Sequence, residues 1–580
     1  MVVRSPTRLA AEPIQMTTDV LVVGGGVAGC LAATEAAEGG ADVLIVDKAK
    51  MLERAGSVGG GVDQYLTPMN TGPEWDTPQY LLMHIPMLTD GLVDLDVAEQ
   101  VVHEMPRMLR KLESIGIDFT DPDTGDYLRT RVFGLPGTYH VNFDGRKFKY
   151  FVGRRTMQAG AKLLARTMIS DILVDPDTNR AYAAVGFNVR SGEWYVIRAN
   201  AIIIATGDVN RISRNASGVP FDSWHYPYNT GDGHAMGFRG GAELVNMEFV
   251  EATLTPKGFS CQGTNAYAGL GAHFVNRDGE RFMFKYDKNG EKARRTVIVE
   301  GIIQEVLAGN EPLYVDLRHL DDDVIDHFAR TLGYDRFTLP AYFAQKGIDI
   351  RTDAIPITVS ELSIRRGGVY FRGSGLVVDI DGRTDVEGLY AAGDCSMVSG
   401  GIAGAAAMGA IAGRGSVALA ERTAALPDVD AALLDAAAER LMRPLGNDAG
   451  MPWRTFEDEI RETVTDHVGF QRSDRGLRTA LARFAELGER RAEVSASDAH
   501  DLMRAHEALN IHTVVGLMAK AALDRTESRS GAAHRRVDYP ETDEDWRRVI
   551  LLRRQNGDVT LRHRDAESPH GRVTTWEGMA

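Results

Sequence analysis

Six residues near the N-terminus, Gly24-Gly25-Gly26-Val27-Ala28-Gly29, carry the spacing GxGxxG. They lie between a β-branched run, Asp19-Val20-Leu21-Val22-Val23, and an alanine-rich stretch reaching Glu38. Glycines in this order permit a tight turn and let backbone N–H groups approach a pyrophosphate. The helix opening at Val27 and Ala28 adds free N–H donors and partial positive charge. An acid follows about twenty residues on, where it can accept ribose hydroxyls. Asp47 ends the run Asp42-Val43-Leu44-Ile45-Val46, and Lys48 beside it is a further cofactor-binding candidate.

Further pieces point from a dinucleotide in general to FAD. Ser57-Val58-Gly59-Gly60-Gly61 is a second glycine loop, suited to running backbone along a flavin. Ala205-Thr206-Gly207 closes a third buried strand, Ala201 to Ala205, and Asp232 sits in a later glycine turn. Gly393-Asp394 follows a fourth strand, Gly388 to Ala392, and a small-residue stretch from Gly400 to Gly415 opens the next helix. An aspartate there can bind ribityl hydroxyls, while the helix N-terminus stabilises the anionic reduced ring. The alternative for Asp394 is a simple helix cap.

These residues need a scaffold of strands and helices. The strand–glycine turn–helix–strand series over 19–47 is one βαβ unit. Its pattern returns near 388, so the nucleotide domain is expected to be discontinuous. The expected division is a loose tail over 1–15, a Rossmann-type FAD domain over 16–245 and 366–427, and an inserted α+β capping domain over 246–365. A helical domain over 428–530 and an extended, polar surface segment over 531–580 complete it. The fold class is α/β in the FAD domain and α+β overall. Residues 65–150 read as mainly helical, with Pro106 inside the 93–115 periodicity, and 181–198 reads as a hairpin.

The 580 residues exceed one core, and 44% hydrophobic with 25% charged residues is ordinary for a soluble enzyme. A net charge of −16 with mixed signs argues against binding to nucleic acid or anionic lipid. The three cysteines, Cys30, Cys261 and Cys395, have no metal-ligand or redox spacing. No metal or built-in iron–sulfur cluster is expected, and sparse cysteine use fits a reducing cytoplasm. No signal peptide, and no uninterrupted apolar run of membrane-spanning length, is read. A homo-oligomer is compatible with all of this.

With these elements placed, the chain resembles the succinate dehydrogenase/fumarate reductase flavoprotein family. The matching segments include VVGGGVAG at 22–29, NTGDGHAM at 229–236, MEF at 247–249, NRDGERFM at 276–283, GLYAAGDC at 388–395 and RTESRSGAAHRRVDYPETDEDW at 525–546. Within it, DGRKFKYFVGRRTMQAGAK at 144–162, AVGFNVRSGEWYVIRANAI at 184–202 and SWHYPYN at 223–229 look most like flavin subunits of adenylylsulfate reductase. The resemblance implies hydride chemistry at a flavin under a capping domain.

The departures bear on the chemistry. Respiratory members attach FAD through a histidine in the loop that here runs Arg54 to Gly61, and the first histidine is His84. FAD is therefore expected to be non-covalent, with a lower potential that favours reduction of substrate. A family histidine corresponds to Thr253, a substrate arginine to Ala407, and the glycine loop and a later segment to Ala268–Ala272 and Val369–Ser374. Fumarate, succinate and adenylylsulfate are thereby poor candidates, Gln262 and Phe371 standing near positions expected to hold the last. By resemblance, Arg295 matches a proton-donating arginine, although Thr296 replaces the aspartate that normally follows. Tyr370 is a second candidate acid. Arg281 is a third catalytic candidate, with ordering of the capping loop as its alternative. Tyr65, Tyr267 and Phe371 are candidates for an aromatic wall, or core residues. The leading expectation is hydride transfer between FAD and a small neutral or monoanionic molecule, such as an activated C=C bond. An electron-transfer subunit for a ferredoxin-like partner, or a non-catalytic flavin module, is the alternative.

Overall fold

The computed structural model describes residues 5–59, 62–132, 134–261, 263–332, 334, 336, 338–423, 426–447 and 449–566. Consecutive β-branched residues have no polar face to offer water, so such runs become strands covered on both sides. Seven strands form one sheet: β1 (Ile14–Val23), β2 (Val43–Asp47), β3 (Lys162–Ala165), β4 (Thr167–Asp175), β5 (Arg180–Asn188), β6 (Trp194–Ile204) and β7 (Leu389–Ala391). The order is β3-β2-β1-β6-β5-β4, with β7 also beside β6. β1 runs parallel to β2 and β6, and β7 runs parallel to β6. One edge of β6 is shared: its start pairs antiparallel with β5, and its last residues pair with β7. The chain ends of β1, β6 and β7 thus open side by side, which puts three glycine turns from distant sequence at one crevice.

The first helix, α1 (Val27–Glu38), packs on α2 (Gly401–Ala420). Small residues make the contact: a Cβ on Gly409 would stand 2.3 Å from the Ala28 carbonyl, and one on Gly413 2.4 Å from that of Ala32. By length and composition α2 could cross a bilayer. Arg414 interrupts its apolar residues, so it is not an uninterrupted apolar run of the kind sought in the sequence. Its face toward α1 and the sheet is buried, as in the core helix of a globular molecule.

Residues 254–357 hold a hydrophobic cluster separate from the main core, around an antiparallel four-stranded sheet. Between residues 65 and 150 the structure has helices 78–88 and 95–114 but also three short strands, so that region is less helical than its pattern predicts. The helical region ends in α3 (Ala499–Asp524), which is buried on most sides because it runs through the molecule.

Both chain ends depart from expectation. The tail expected over 1–15 is anchored from Ser5 onward. Ser5 Oγ donates to the Val189 carbonyl, Trp194 Nε1 to that of Ala10, and Ile14 already pairs with Tyr195. Near the other end, Arg548–Gln555 and Asp558–Asp565 form a hairpin. Val549 to Leu552 are buried against Leu244–Val245, so this part of the expected surface segment belongs to the core. The arginine-rich segment beginning at Arg525 is also internal. Arg525 Nε donates to Glu248 Oε1 at 2.9 Å and its Nη1 to Glu527 Oε1 at 2.8 Å.

Candidate active site

The crevice at the sheet's open end continues into a cavity of about 910 Å³ between the FAD-type sheet and the 246–365 region. Its first stretch is the glycine turn after β1. Gly24 has φ +104°, and a Cβ there would lie 2.4 Å from the Ala205 carbonyl. Gly29 packs α1 on that turn, since a Cβ would come within 1.8 Å of the Gly24 carbonyl. Gly26 differs: a Cβ would meet nothing nearer than Gly56 Cα at 4.0 Å, so its bare backbone faces the cavity. Among the described residues no side chain caps α1, leaving its first N–H groups for a ligand.

The candidate cofactor residues distribute as follows. Gly24, Gly26, Val27, Ala28, Asp47 and Lys48 line the cavity, and so do Ser57 and Gly59 of the second loop. Gly60 and Gly61 lie outside the described residues, as does Gln262. Ala205, Thr206, Gly207, Asp232, Gly393 and Asp394 line it from the other strands, whereas Gly29 stands behind the turn. Asp47 accepts the N–H groups of Gly25 and Ala49, both at 2.6 Å, which fixes its carboxylate at the end of β2. Lys48 Nζ bridges Asp232 Oδ2 and Glu507 Oε1, both at 2.9 Å. Burial opposes the Lys48 charge, but these two carboxylates outweigh it and hold its pKa above the ordinary value. Thr206 Oγ1 accepts the Gly233 N–H at 3.1 Å, tying the third turn to the helix that begins at Asp232. An open backbone cradle, a carboxylate at a strand end and an uncapped helix N-terminus fit a dinucleotide such as FAD.

The far end of the cavity is charged. Glu251 is fully buried and receives Arg295 Nη1 at 2.8 Å, Arg366 Nε at 3.3 Å and, more loosely, Arg365 Nη1 at 3.9 Å. Burial alone would raise its pKa; the guanidinium groups of Arg366, Arg295 and Arg365 overcome that and bring it to about 2. Arg365 Nε also holds Asp394 Oδ2 at 2.7 Å, and Ser399 Oγ donates to the other oxygen. Asp394 is therefore part of this network, in addition to lining the flavin-side crevice. His225 Nδ1 lies 2.7 Å from the buried Asp208 Oδ2, and Asn229 Nδ2 donates to Asp208 Oδ1 at 2.7 Å.

Of the catalytic candidates, only Tyr370 lines the cavity, with Arg366 over its ring at 4.4 Å and His140 at its edge. Burial lowers the His140 pKa to about 4, so that imidazole is neutral. Arg295 stands behind the wall, over the Trp224 ring at 5.7 Å. Arg281 is away from the cavity and half exposed, paired with Glu291 at 2.7 Å. The proposed aromatic wall is also relocated. Tyr65, Tyr267 and Phe371 are fully buried outside the cavity, and Trp224, Phe259 and Tyr370 line it. Sequence reasoning missed Glu251, Arg365, Arg366, Asp208 and His225. The signals available were the adjacent pair Arg365-Arg366 directly after the short buried strand Ser363–Ile364, and the segment SWHYPYN that carries His225.

Comparison with known proteins agrees with this geometry. Residues 19–412 match the FAD binding domain family, and residues 457–574 match the fumarate reductase flavoprotein C-terminal family. The chain is 28% identical over 563 residues to one subunit of the fumarate reductase (CoM/CoB) of Methanothermobacter marburgensis, covering 93% of this chain and 97% of that one. It is also 28% identical to the L-aspartate oxidase of Streptomyces coelicolor, covering 96% and 94% of the two chains. Among solved structures, adenylylsulfate reductase of Archaeoglobus fulgidus shares the fold at a TM-score of 0.86 and 23% identity, covering 98% of this chain and 99% of that one. The FrdA chain of Escherichia coli quinol fumarate reductase gives 0.81 at 25% identity, covering 95% and 97%. With its crevice, its glycine turns and both family matches in place, this chain belongs to the succinate dehydrogenase/fumarate reductase family of FAD-dependent flavoprotein oxidoreductases.

Proposed function

We propose that the protein exchanges a hydride between a dissociable FAD and a small organic substrate other than fumarate, succinate or adenylylsulfate, such as an activated C=C bond or its saturated form. The observation that carries this reading is the rebuilt far end of the cavity. Ala407 is buried within α2 and, like Thr253, does not line the cavity, whose polar wall is instead Arg365, Arg366, His225 and Tyr370. FAD supplies hydride transfer when bound. The backbone of Gly24 to Ala28 would hold the pyrophosphate, the 246–365 region would screen the site from water, and Arg365 and Arg366 would be presented to a polar substrate group.

The test is an anaerobic titration. The bound flavin is reduced, then offered enones, aromatic acids, fumarate and adenylylsulfate, with reoxidation followed by absorbance. Reoxidation by at least one enone or aromatic acid, faster than by fumarate, is expected. Inertness to every member, or a clear preference for fumarate or adenylylsulfate, overturns the reading. Electrons must also arrive from somewhere. Cys30, Cys261 and Cys395 are buried and unbonded to one another, and several relatives bear names of enzyme subunits. A ferredoxin-like partner supplying the flavin is the companion reading, checked by whether a reduced ferredoxin bleaches the flavin at substoichiometric protein.

A further inference from the structure

Behind the first glycine turn a lysine is enclosed without an acid. Lys149 is 3% exposed. Its Nζ donates to the Leu52 carbonyl at 2.6 Å, to the Gly25 carbonyl at 2.7 Å and to Cys30 Sγ at 3.2 Å. An ammonium has three N–H donors, so all are used, and none of the acceptors is a carboxylate. Asp47, the acid that also meets Gly25, is bound to that residue's N–H. The position is otherwise poor for a cation. Lys149 sits in the first turn of the helix Phe148–Gln158, where the positive end of the helix dipole opposes it and no acid stands beside it. Burial of an unpaired charge adds to that cost. Nor does seating the helix depend on it. Phe148 and Val152 are buried, a Cβ on Gly153 would lie 3.0 Å from the Leu52 Cβ, and Thr156 Oγ1 donates to the Cys30 carbonyl at 3.1 Å.

What the lysine holds is one peptide. Gly26 lines the cavity, whereas Gly25 and Lys149 stand behind it. The peptide from Gly25 to Gly26 is trans, so its carbonyl and its N–H point in opposite directions. Lys149 takes the carbonyl on the inner side, which turns the Gly26 N–H outward. On that side a Cβ on Gly26 would meet nothing nearer than 4.0 Å. With Asp47 on the Gly25 N–H and Lys149 on its carbonyl, the turn is pinned at both ends of one residue. Donation to a carbonyl polarises its peptide and strengthens the N–H as a donor. The ammonium's field also crosses a wall only one peptide thick, where water does not screen it. A pyrophosphate on the far side carries the negative charge that this cation lacks.

We propose that Lys149 is the buried counter-charge of the cofactor's pyrophosphate, acting through the Gly25–Gly26 peptide as a positioning residue. The empty protein holds an unpaired cation, and FAD brings its partner. Removing the charge while keeping a hydrogen-bond donor should therefore act oppositely on the two states. The empty protein keeps or gains stability, and the loaded protein loses cofactor affinity. A lysine that only braced the loop would lower stability with or without FAD. No substrate enters this, and FAD affinity is read without turnover, so the redox test above neither supports nor sinks it.

The experiment compares the full-length wild type with K149Q and K149M, each stripped of flavin and then titrated. Three quantities are measured: the melting temperature of the apoprotein, FAD affinity from quenching of flavin fluorescence, and ADP affinity from displacement of FAD. K149Q keeps an NH₂ group for the Gly25 and Leu52 carbonyls and loses only the charge. Its apoprotein should melt at or above wild type, while FAD and ADP each bind roughly 10- to 100-fold more weakly. K149M also strands the two carbonyls, so it should bind FAD no better than K149Q. A K149Q apoprotein that is insoluble or melts below wild type, or wild-type FAD affinity in K149Q, would overturn the proposal. So would a loss of FAD affinity that ADP does not share, tighter binding by K149M than by K149Q, or failure of ADP to displace FAD from wild type.

Discussion

At the scale of single residues, the glycine turn separates cofactor contacts from packing. A side chain at Gly26 would enter the cavity without touching protein, whereas one at Gly29 would collide with the Gly24 carbonyl at 1.8 Å. G26V should therefore fold with a normal circular-dichroism spectrum and bind FAD at least about tenfold more weakly, a loss of at least about 1.4 kcal/mol. G29V should lose the fold itself, seen as insoluble or premelted protein. The buried Glu251 and His140 make opposite charge choices with the same consequence in acid. Glu251 is depressed to about 2, so its contribution is present above the ordinary carboxylate value of about 4.5 and is lost as pH falls toward 2. His140 is depressed to about 4, so the unfolded chain binds protons first and stability falls as pH drops from 6.5 toward 4. Stability should thus decline in two stretches below neutrality. H140Q should make the upper stretch shallower in melting curves measured between pH 7 and pH 4, without removing it, because the buried His512, His534, His234 and His506 are depressed by burial in the same way.

At the scale of elements, the segment from Arg525 to Trp546 acts as an internal strap. The Arg525 guanidinium, fully buried, bonds Glu248, Glu527 and the carbonyls of Trp546 and Arg548, and covers the Phe249 ring at 5.3 Å. Arg536 donates to the last carbonyls of α3 and pairs with Asp538 at 2.9 Å. This ties the C-terminal hairpin and α3 to the stretch beginning at Met247, which leads directly to Glu251 at the active site. Truncating one partner of a buried pair strands the other charge, at a cost of about 3–5 kcal/mol. R525A should lower the melting temperature of the holoenzyme clearly, and R525M should recover part of the loss because its longer side chain refills the space over the Phe249 and Trp546 rings. From residue 531 onward this segment reads in sequence as an extended polar stretch over the surface. Its arginines satisfy backbone carbonyls inside the molecule, which composition does not reveal.

At the scale of the whole molecule, the cofactor crevice is a joint between parts far apart in sequence. The turns after β1, β6 and β7 meet there with Glu507 of α3. FAD should therefore stabilise the assembled chain more than any one part. Without a histidine in the loop from Arg54 to Gly61, acid precipitation should release all of the flavin into the supernatant. Restoring FAD at 100 times its Kd should return about 2.7 kcal/mol of stability, seen as a rise in melting temperature.

The sequence by itself determined the cofactor end of the protein. Gly24 to Gly29, Asp47 and Gly393-Asp394 are local signals, each written within a few residues of a strand end, and backbone geometry there follows from residue type. It also determined the strands and helices that carry them, because apolar periodicity is a short-range property. Only the tertiary structure decided the far end. Glu251, Arg366 and His225 are separated by up to 141 positions in the numbering, and nothing in the local pattern of any one of them says that they share a buried space. Their chemistry comes from mutual burial, where one unpaired N–H or one uncompensated charge is costly. The same reason moved Arg281 out of the site and brought Arg365-Arg366 into it: ion pairing is settled by which charges the fold encloses together.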